Sequence, residues 1–404
     1  MSFPQFLRQN APFLAAGALL TFCSSFGQTF LISVFAGEIR AEFGLTDGDW
    51  GRLYGIGTLA SGLVMIWAGV LTDHFRARYL GAVVLVLLAL ACLAMALAPA
   101  AWALPFVIFA LRFTGQGMIS HIAVVAMARW FVGSRGKALA IASLGYAVGE
   151  AFLPLFIVFM FDIVDWWVLW FGFAVFVLLM IPLLSTLLRL ERTPQSVAED
   201  SQSTGMHGRH WSRRDTIRHW LFWLMVPAIL GPSAWITALF FQQVHLAETK
   251  GWSHAALVTL FPLYTGVALV ATLATGALVD RLGSARLIAF AGLPIAAGFV
   301  VLGATSSLGA AAIGLALVAI GHGANATIPN VFWAEFYGTR SIGSIKALAT
   351  AVMVLGSAAG PWITGAIIDA GLAFEGQMFW IAGYFVAVVV LVWAGVRRAA
   401  RALG

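Results

Sequence analysis

Long stretches without a single charge decide what this chain can become. Pro12 to Ala36, Tyr79 to Ala98, Trp166 to Leu188 and Ala255 to Val279 each pass without an Asp, Glu, Lys or Arg. A bilayer core is crossed by about 20 mostly apolar residues rising 1.5 Å each, and the chain supplies about a dozen such runs. With 61% hydrophobic and only 10% charged residues, too little polar surface exists to cover a soluble globule. A membrane barrel would instead show alternating segments of about ten residues, and the sequence has none. The expected fold class is therefore an all-α polytopic membrane protein.

Runs bounded by charges and Gly/Pro clusters place spans near 12–36, 50–72, 79–98, 102–128, 136–160 and 165–188, then 218–246, 255–279, 284–304, 308–334, 342–368 and 377–396. The first is longer than the apolar part of a secretory leader, so it is read as a retained helix. The 42 glycines suit close helix packing in lipid. Cys23 and Cys92 lie inside apolar runs without metal-ligand spacing and read as buried thiols.

A net charge of +6 suits a nucleic-acid partner only where a soluble face gathers it. Here the charge sorts by loop. Apart from Arg112, all Lys and Arg fall in the even loops and the two tails, save Arg40, Arg52 and Lys250. The odd loops carry acids such as Glu38, Asp47, Asp162 and Asp369. The positive-inside rule then puts both termini in the cytoplasm, and no nucleic-acid partner is expected.

The chain repeats itself. Gly69-Val-Leu-Thr-Asp73-His-Phe-Arg76-Ala-Arg78 returns as Gly276-Ala-Leu-Val-Asp280-Arg281-Leu-Gly283-Ser-Ala-Arg286. Phe131 to Arg135 with Lys137 returns as Phe336 to Arg340 with Lys346, and Gly145-xxx-Gly149-Glu150 as Gly356-xxx-Gly360-Pro361. Between the halves, residues 189–217 form a polar linker. Its basic end, Arg209 to Arg218, is open to two readings, a solvated loop or a strip against anionic headgroups.

The repeated G-x-L-x-D stretch, in a twelve-span chain with a central linker, resembles the major facilitator superfamily of secondary transporters, in outline its monocarboxylate and oxalate/formate branch. The resemblance implies two six-helix bundles, 1–188 and 218–404, related by a pseudo-twofold axis and rocking around a central site lined by spans 1, 4, 7 and 10. It also implies that Asp73 and Asp280, with Arg78 and Arg281, form cytoplasmic latches, an aspartate meeting the free amides of a facing helix. The second copy keeps the family pattern, whereas Arg76 stands where a glycine is usual in the first. In the branch named, span 8 commonly carries an arginine; Ala255 to Val279 has none, which leaves carboxylate recognition to Arg112 or His322.

A charge at membrane depth costs about 3 kcal/mol on insertion scales, which makes each one a functional candidate. Arg112, in Arg112-Phe-Thr-Gly-Gln116-Gly117, matches a family motif on span 4; Glu150 lies at similar depth on span 5. They are expected to pair, either as a static bridge or as a proton site. His322 and Asn325 on span 10, Gln28 on span 1 and Trp235 on span 7 complete the candidate lining, with helix packing as the competing role of each. His121 is read as an ordinary hydrogen-bonding partner, Lys346 as belonging to the cytoplasmic mouth, and Gln242, Gln243 and His245 as an outer gate or interface.

The loops show no P-loop, metal cluster or nucleophile-base spacing. No enzyme and no cofactor are expected, and energy would come from an ion gradient. The expected function is proton-coupled movement of a small organic solute, a carboxylate, across a bacterial inner membrane by a monomer. Proton-driven efflux of drugs or amphipathic metabolites is the alternative, and a non-transporting receptor or scaffold the third.

Overall fold

The structure, a computed structural model, describes residues 3–131, 135–189, 204–338 and 341–401. Val132 to Ser134, most of the linker, Arg340 and the side chains of Asp73 and Arg135 lie outside the described residues. The chain forms two compact units, the first of residues 1–46 and 52–198, the second of 199–404 together with Asp47–Gly51.

Among the described residues, ten helices are long and apolar enough to cross a bilayer: α3 (Ala77–Ala96), α4 (Ala101–Trp130), α5 (Lys137–Met160), α6 (Trp166–Leu187), α7 (Trp220–Phe241), α8 (His254–Leu282), α9 (Ser284–Ala304), α10 (Leu308–Tyr337), α11 (Ser344–Asp369) and α12 (Phe374–Ala400). Ahead of them α1 is a bent pair, Gln5–Gly27 and Thr29–Phe43, and α2 is Asp47–Ala68. The expected all-α fold of twelve membrane helices in two six-helix bundles is the fold observed.

Within each unit the pairing repeats. α1 packs on α5 and α3 on α6; in the second unit α7 packs on α11 and α9 on α12. The Gly-xxx-Gly echo explains the first of these. A Cβ on Gly145 would overlap the Ala18 carbonyl of α1, and one on Gly356 would stand 2.7 Å from the Leu230 carbonyl of α7. Three residues on from those carbonyls, Thr21 donates to Ala142 O and Ser233 to Met353 O, each acceptor lying three residues before the glycine. The two seams share one register, and small residues let the backbones close on each other where apolar burial gives no drive against lipid.

The two copies of the G-x-L-x-D turn differ for a reason the backbone supplies. Gly283 sits at φ +77°, a conformation that favours glycine. Arg76, three residues after Asp73 as Gly283 is after Asp280, takes φ −67° and ψ 143°, so this turn needs no glycine. After the second turn α9 is held by Glu335 of α10, whose carboxylate accepts from the Ser284 amide at 3.2 Å and hydroxyl at 2.5 Å.

Two expectations change. Span 7 is not one helix to residue 246: α7 stops at Phe241, Gln242 turns at φ −89° and ψ 19°, and Gln243–Lys250 follows as a separate helix. The basic end of the linker is not a solvated loop but a folded part of the second unit. Met206 and Trp211 are buried, and Ser212 and Asp215 form a reciprocal cap on the short helix Arg213–Arg218. The Trp211 ring meets His219 at 4.7 Å and Tyr337 of α10 at 5.3 Å.

Gly145→Val is expected to push α1 from α5 and lower stability by about 1–3 kcal/mol, read as a lower thermal midpoint in detergent. Gly172→Ala, at a glycine with open space around it, should leave the midpoint unchanged. A second expectation concerns pH. Burial, with Arg209 and His207 nearby, holds His219 below the usual histidine range. A depressed folded value means the neutral ring is favoured in the docked segment, so its contribution is complete above about pH 6.5 and lost as pH falls through the folded value. Measured against the intrinsic rate at each pH, amide exchange across residues 204–219 should therefore be less protected at pH 5 than at pH 8, and His219→Phe should remove that loss of protection.

Candidate functional site

The first candidate site grows from a break in α1. Ser25–Gly27 tighten into a 3₁₀ turn, Gln28 is extended at φ −86° and ψ 152°, and the helix restarts at Thr29, with 45° between the halves. The break strands carbonyls that would otherwise accept helix hydrogen bonds, and inside a bilayer they need another donor. Arg112 supplies it, donating from Nη1 to Gly27 O at 3.3 Å and to Thr29 Oγ1 at 3.0 Å.

That reach requires α4 to come close. Gly27 and Gly115 face each other with no room for a side chain, since a Cβ on Gly115 would lie 2.7 Å from Gly27 Cα. α4 itself widens into a π-helical stretch over Arg112–Ile119, the kind of irregularity that recurs at functional sites. Tyr54 of α2 shares a 2.5 Å hydrogen bond with Thr29, and its ring lies 5.4 Å from the Arg112 guanidinium.

Arg112 is 2% exposed and Glu150 4%. Glu150 Oε1 accepts from the Tyr146 hydroxyl at 2.9 Å, and the Tyr146 ring stands edge-on to Phe30, 5.6 Å away, just past the break. Tyr146 and Tyr54 both lie within electrostatic reach of Arg112. Arg112 Nε, Ser25 Oγ and Thr58 Oγ1 are buried without a protein partner, so the first unit keeps hydrogen-bonding capacity here. Gln28, also a sequence candidate, is 8% exposed and sits at the break itself.

The other lining candidates belong to the second unit. His322 of α10 shares a 2.5 Å hydrogen bond from Nδ1 with the Tyr264 hydroxyl of α8; with Tyr264 donating, Nε2 carries the proton and is left as a donor. Asn325 bonds back to Gly321 O at 2.9 Å on its own helix. Trp235 stands edge-on to Tyr384 at 5.9 Å with its Nε1 unpartnered.

Gln242, Gln243 and His245 are part of a wider polar cluster in the second unit. Gln242 donates to Thr364 at 3.2 Å, Gln243 bonds His254 at 3.2 Å, and His245 lies 3.5 Å from Asp47. Asp369 accepts from the Gly48 amide at 3.0 Å, capping the first turn of α2. In the second unit Asp280 and Arg281 are exposed, and in the first Arg78 lies over the Tyr79 ring at 5.9 Å. His121 stands 3.5 Å from Thr72, whose carbonyl accepts from Arg129. Lys346 is half-buried on α11.

Sequence reasoning missed the tyrosines. Of the 6 in the chain, Tyr54, Tyr146, Tyr264, Tyr337 and Tyr384 all use their hydroxyls inside the protein. The signal was present: against 31 phenylalanines, a tyrosine in an apolar run marks a place where the hydroxyl has a partner.

Two kinds of comparison bear on this geometry. The chain is similar over 99% of its length, and 99% of theirs, to a bacterial homologue of the human lysosomal transporter Spinster, captured inward-facing and unoccupied, with a TM-score of 0.75 and 17% identity. It is similar over 95% of its length, and 98% of theirs, to the nucleoside transporter NupG, with a TM-score of 0.70 and 13% identity. No curated protein matches by sequence. The family described as Major Facilitator Superfamily matches residues 17–361, which spans both units, so the chain belongs to the Major Facilitator Superfamily, a transporter and not an enzyme.

Proposed function

We propose that this protein is a secondary active transporter of a small organic anion, a carboxylate, working by alternating access and coupled to protons. The observation that carries the reading is Arg112, a buried guanidinium with an unused Nε edge, in the same unit as a buried Glu150 that a tyrosine holds. A carboxylate is the natural partner of a guanidinium edge, and a buried carboxyl beside a phenol is suited to taking and releasing a proton. Arg112 meets the anionic solute in one state and supports ionised Glu150 in the other. Gln28 from the first unit, and His322, Asn325 and Trp235 from the second, are the proposed further contacts, His322 through its Nε2 donor. The branch resemblance to monocarboxylate and oxalate/formate carriers agrees with this chemistry, while the likeness to the nucleoside transporter is one of fold. The membrane is proposed to be a bacterial inner membrane, both termini cytoplasmic, on the distribution of Lys and Arg.

A second reading, proton-driven efflux of amphipathic solutes, draws support from a groove of about 600 Å³ along α8 lined by Leu263, Val267, Val270, Ala274 and Leu278 with Ile320. Liposomes with an imposed pH gradient separate the two. Glu150→Gln is expected to abolish proton-driven accumulation of carboxylates while exchange continues, and His322→Asn to raise KM with coupling intact. Extrusion of a drug dye with no carboxylate uptake would move the assignment to efflux.

The latch is proposed on the exposed carboxylate of Asp280 with Arg281, and by the repeat on Asp73 with Arg78. Asp73→Asn should slow turnover several-fold at nearly unchanged solute affinity, measured by exchange rates against equilibrium binding. Unchanged turnover would sink the latch.

A further inference from the structure

We propose that the end of the second unit where α7 begins and α12 finishes seats the headgroup of an anionic phospholipid. Three tryptophans are exposed there: Trp220 by 42%, Trp223 by 59% and Trp393 by 42%. Indoles so exposed at the ends of membrane helices belong at the lipid-water boundary, with the ring against acyl chain at headgroup level.

The surface is built, not frayed. Trp223 donates from Nε1 to Ile217 O at 2.7 Å, tying α7 to the short helix Arg213–Arg218. Arg398 lies over the Trp220 ring at 5.7 Å, joining the end of α12 to the start of α7, and Arg397 lies over Trp393 at 4.4 Å. A guanidinium held by its face keeps its N–H edge for an acceptor, and that edge matches the two free oxygens of a phosphodiester. Among the described residues, Arg218, Arg397 and Arg398 donate to no protein acceptor. The acid of the neighbouring short helix, Asp215, is already taken by the Ser212 amide and hydroxyl, which together with nearby cations hold its carboxyl below the usual range.

Three unmatched cations beside three indoles select the ligand. A phosphodiester without its own cation, as in phosphatidylglycerol, complements the charge, whereas phosphatidylcholine brings a competing ammonium. The indoles add a requirement that soluble phosphate does not meet, an acyl chain beside the phosphate.

The test uses the full chain in detergent, with spin-labelled phosphatidylglycerol and phosphatidylcholine as probes and the thermal midpoint as a second readout. Phosphatidylglycerol is expected to be immobilised and to raise the midpoint; phosphatidylcholine and soluble glycerol phosphate are not. The triple variant R218Q/R397Q/R398Q should bind phosphatidylglycerol on the order of a hundredfold more weakly, about fivefold for each basic residue near an anionic surface. The triple lysine variant, which keeps the charge, should retain most of the binding. Equal binding of the two lipids, undiminished binding by the glutamine variant, or an equal midpoint shift from soluble glycerol phosphate would overturn the proposal.

Discussion

A backbone carbonyl inside a bilayer has no water to turn to, and the first unit is arranged around one that lost its helix partner. The break at Gln28 releases Gly27 O, and Arg112 answers it. Leaving such a buried group unmet costs about 1–3 kcal/mol, but burying a guanidinium to meet it adds a charge that must itself be accommodated. Thr29 and the Tyr54 ring do part of that. The reach is possible only because Gly27 and Gly115 present no side chains and because α4 widens beside them. Replace any one of these features and the rest lose their reason.

The duplication shows which features are packing and which are not. Thr21 and Ser233 make the same hydrogen bond in the same register, and the paired glycines close the same seams. Those residues are accounted for by helix contact in both halves. Glu150 is not, because its counterpart Pro361 offers only a carbonyl, which Gln242 approaches at 3.4 Å. Nor is the turn after α2 a copy of that after α8, since one needs a left-handed glycine and the other an extended arginine. The two halves part at Glu150 against Pro361 and at Arg76 against Gly283, while the seams are alike.

The spans were legible because hydrocarbon thickness imposes one length on all of them, and the Gly-xxx-Gly echo was legible because close packing admits so few residue types. Legibility ended where structure depends on context. Gly27 is one of 42 glycines, and nothing local marks it as the break; only the arrival of Arg112 from another helix makes the break tenable. Met206 and Trp211 lie within a polar stretch whose composition reads as solvated, and they are buried because the end of α10 offers Tyr337 to pack on. Arg112 and Glu150 were found by depth alone, but their partners were not, since a phenol in an apolar run reads as one more aromatic until its acceptor is known.

The seam and the site are physically the same place, which bears on how a proton on Glu150 can be felt elsewhere in its unit. Gly149, the residue before it, abuts Ser25 of α1 so closely that a Cβ there would overlap the hydroxyl. Ser25 opens the tight turn that ends at Gly27, the residue whose carbonyl Arg112 holds. Tyr146, one helical turn before Glu150, rests on Phe30 at the restart of the helix. Under the proposed proton coupling, a change of charge on Glu150 would act on both sides of the break that Arg112 braces, through packed contacts a few residues long. No extended pathway is required, because close-packed groups respond to a new charge by moving between discrete arrangements, and the break at Gln28 interrupts the run of helical backbone bonds that would oppose such a move.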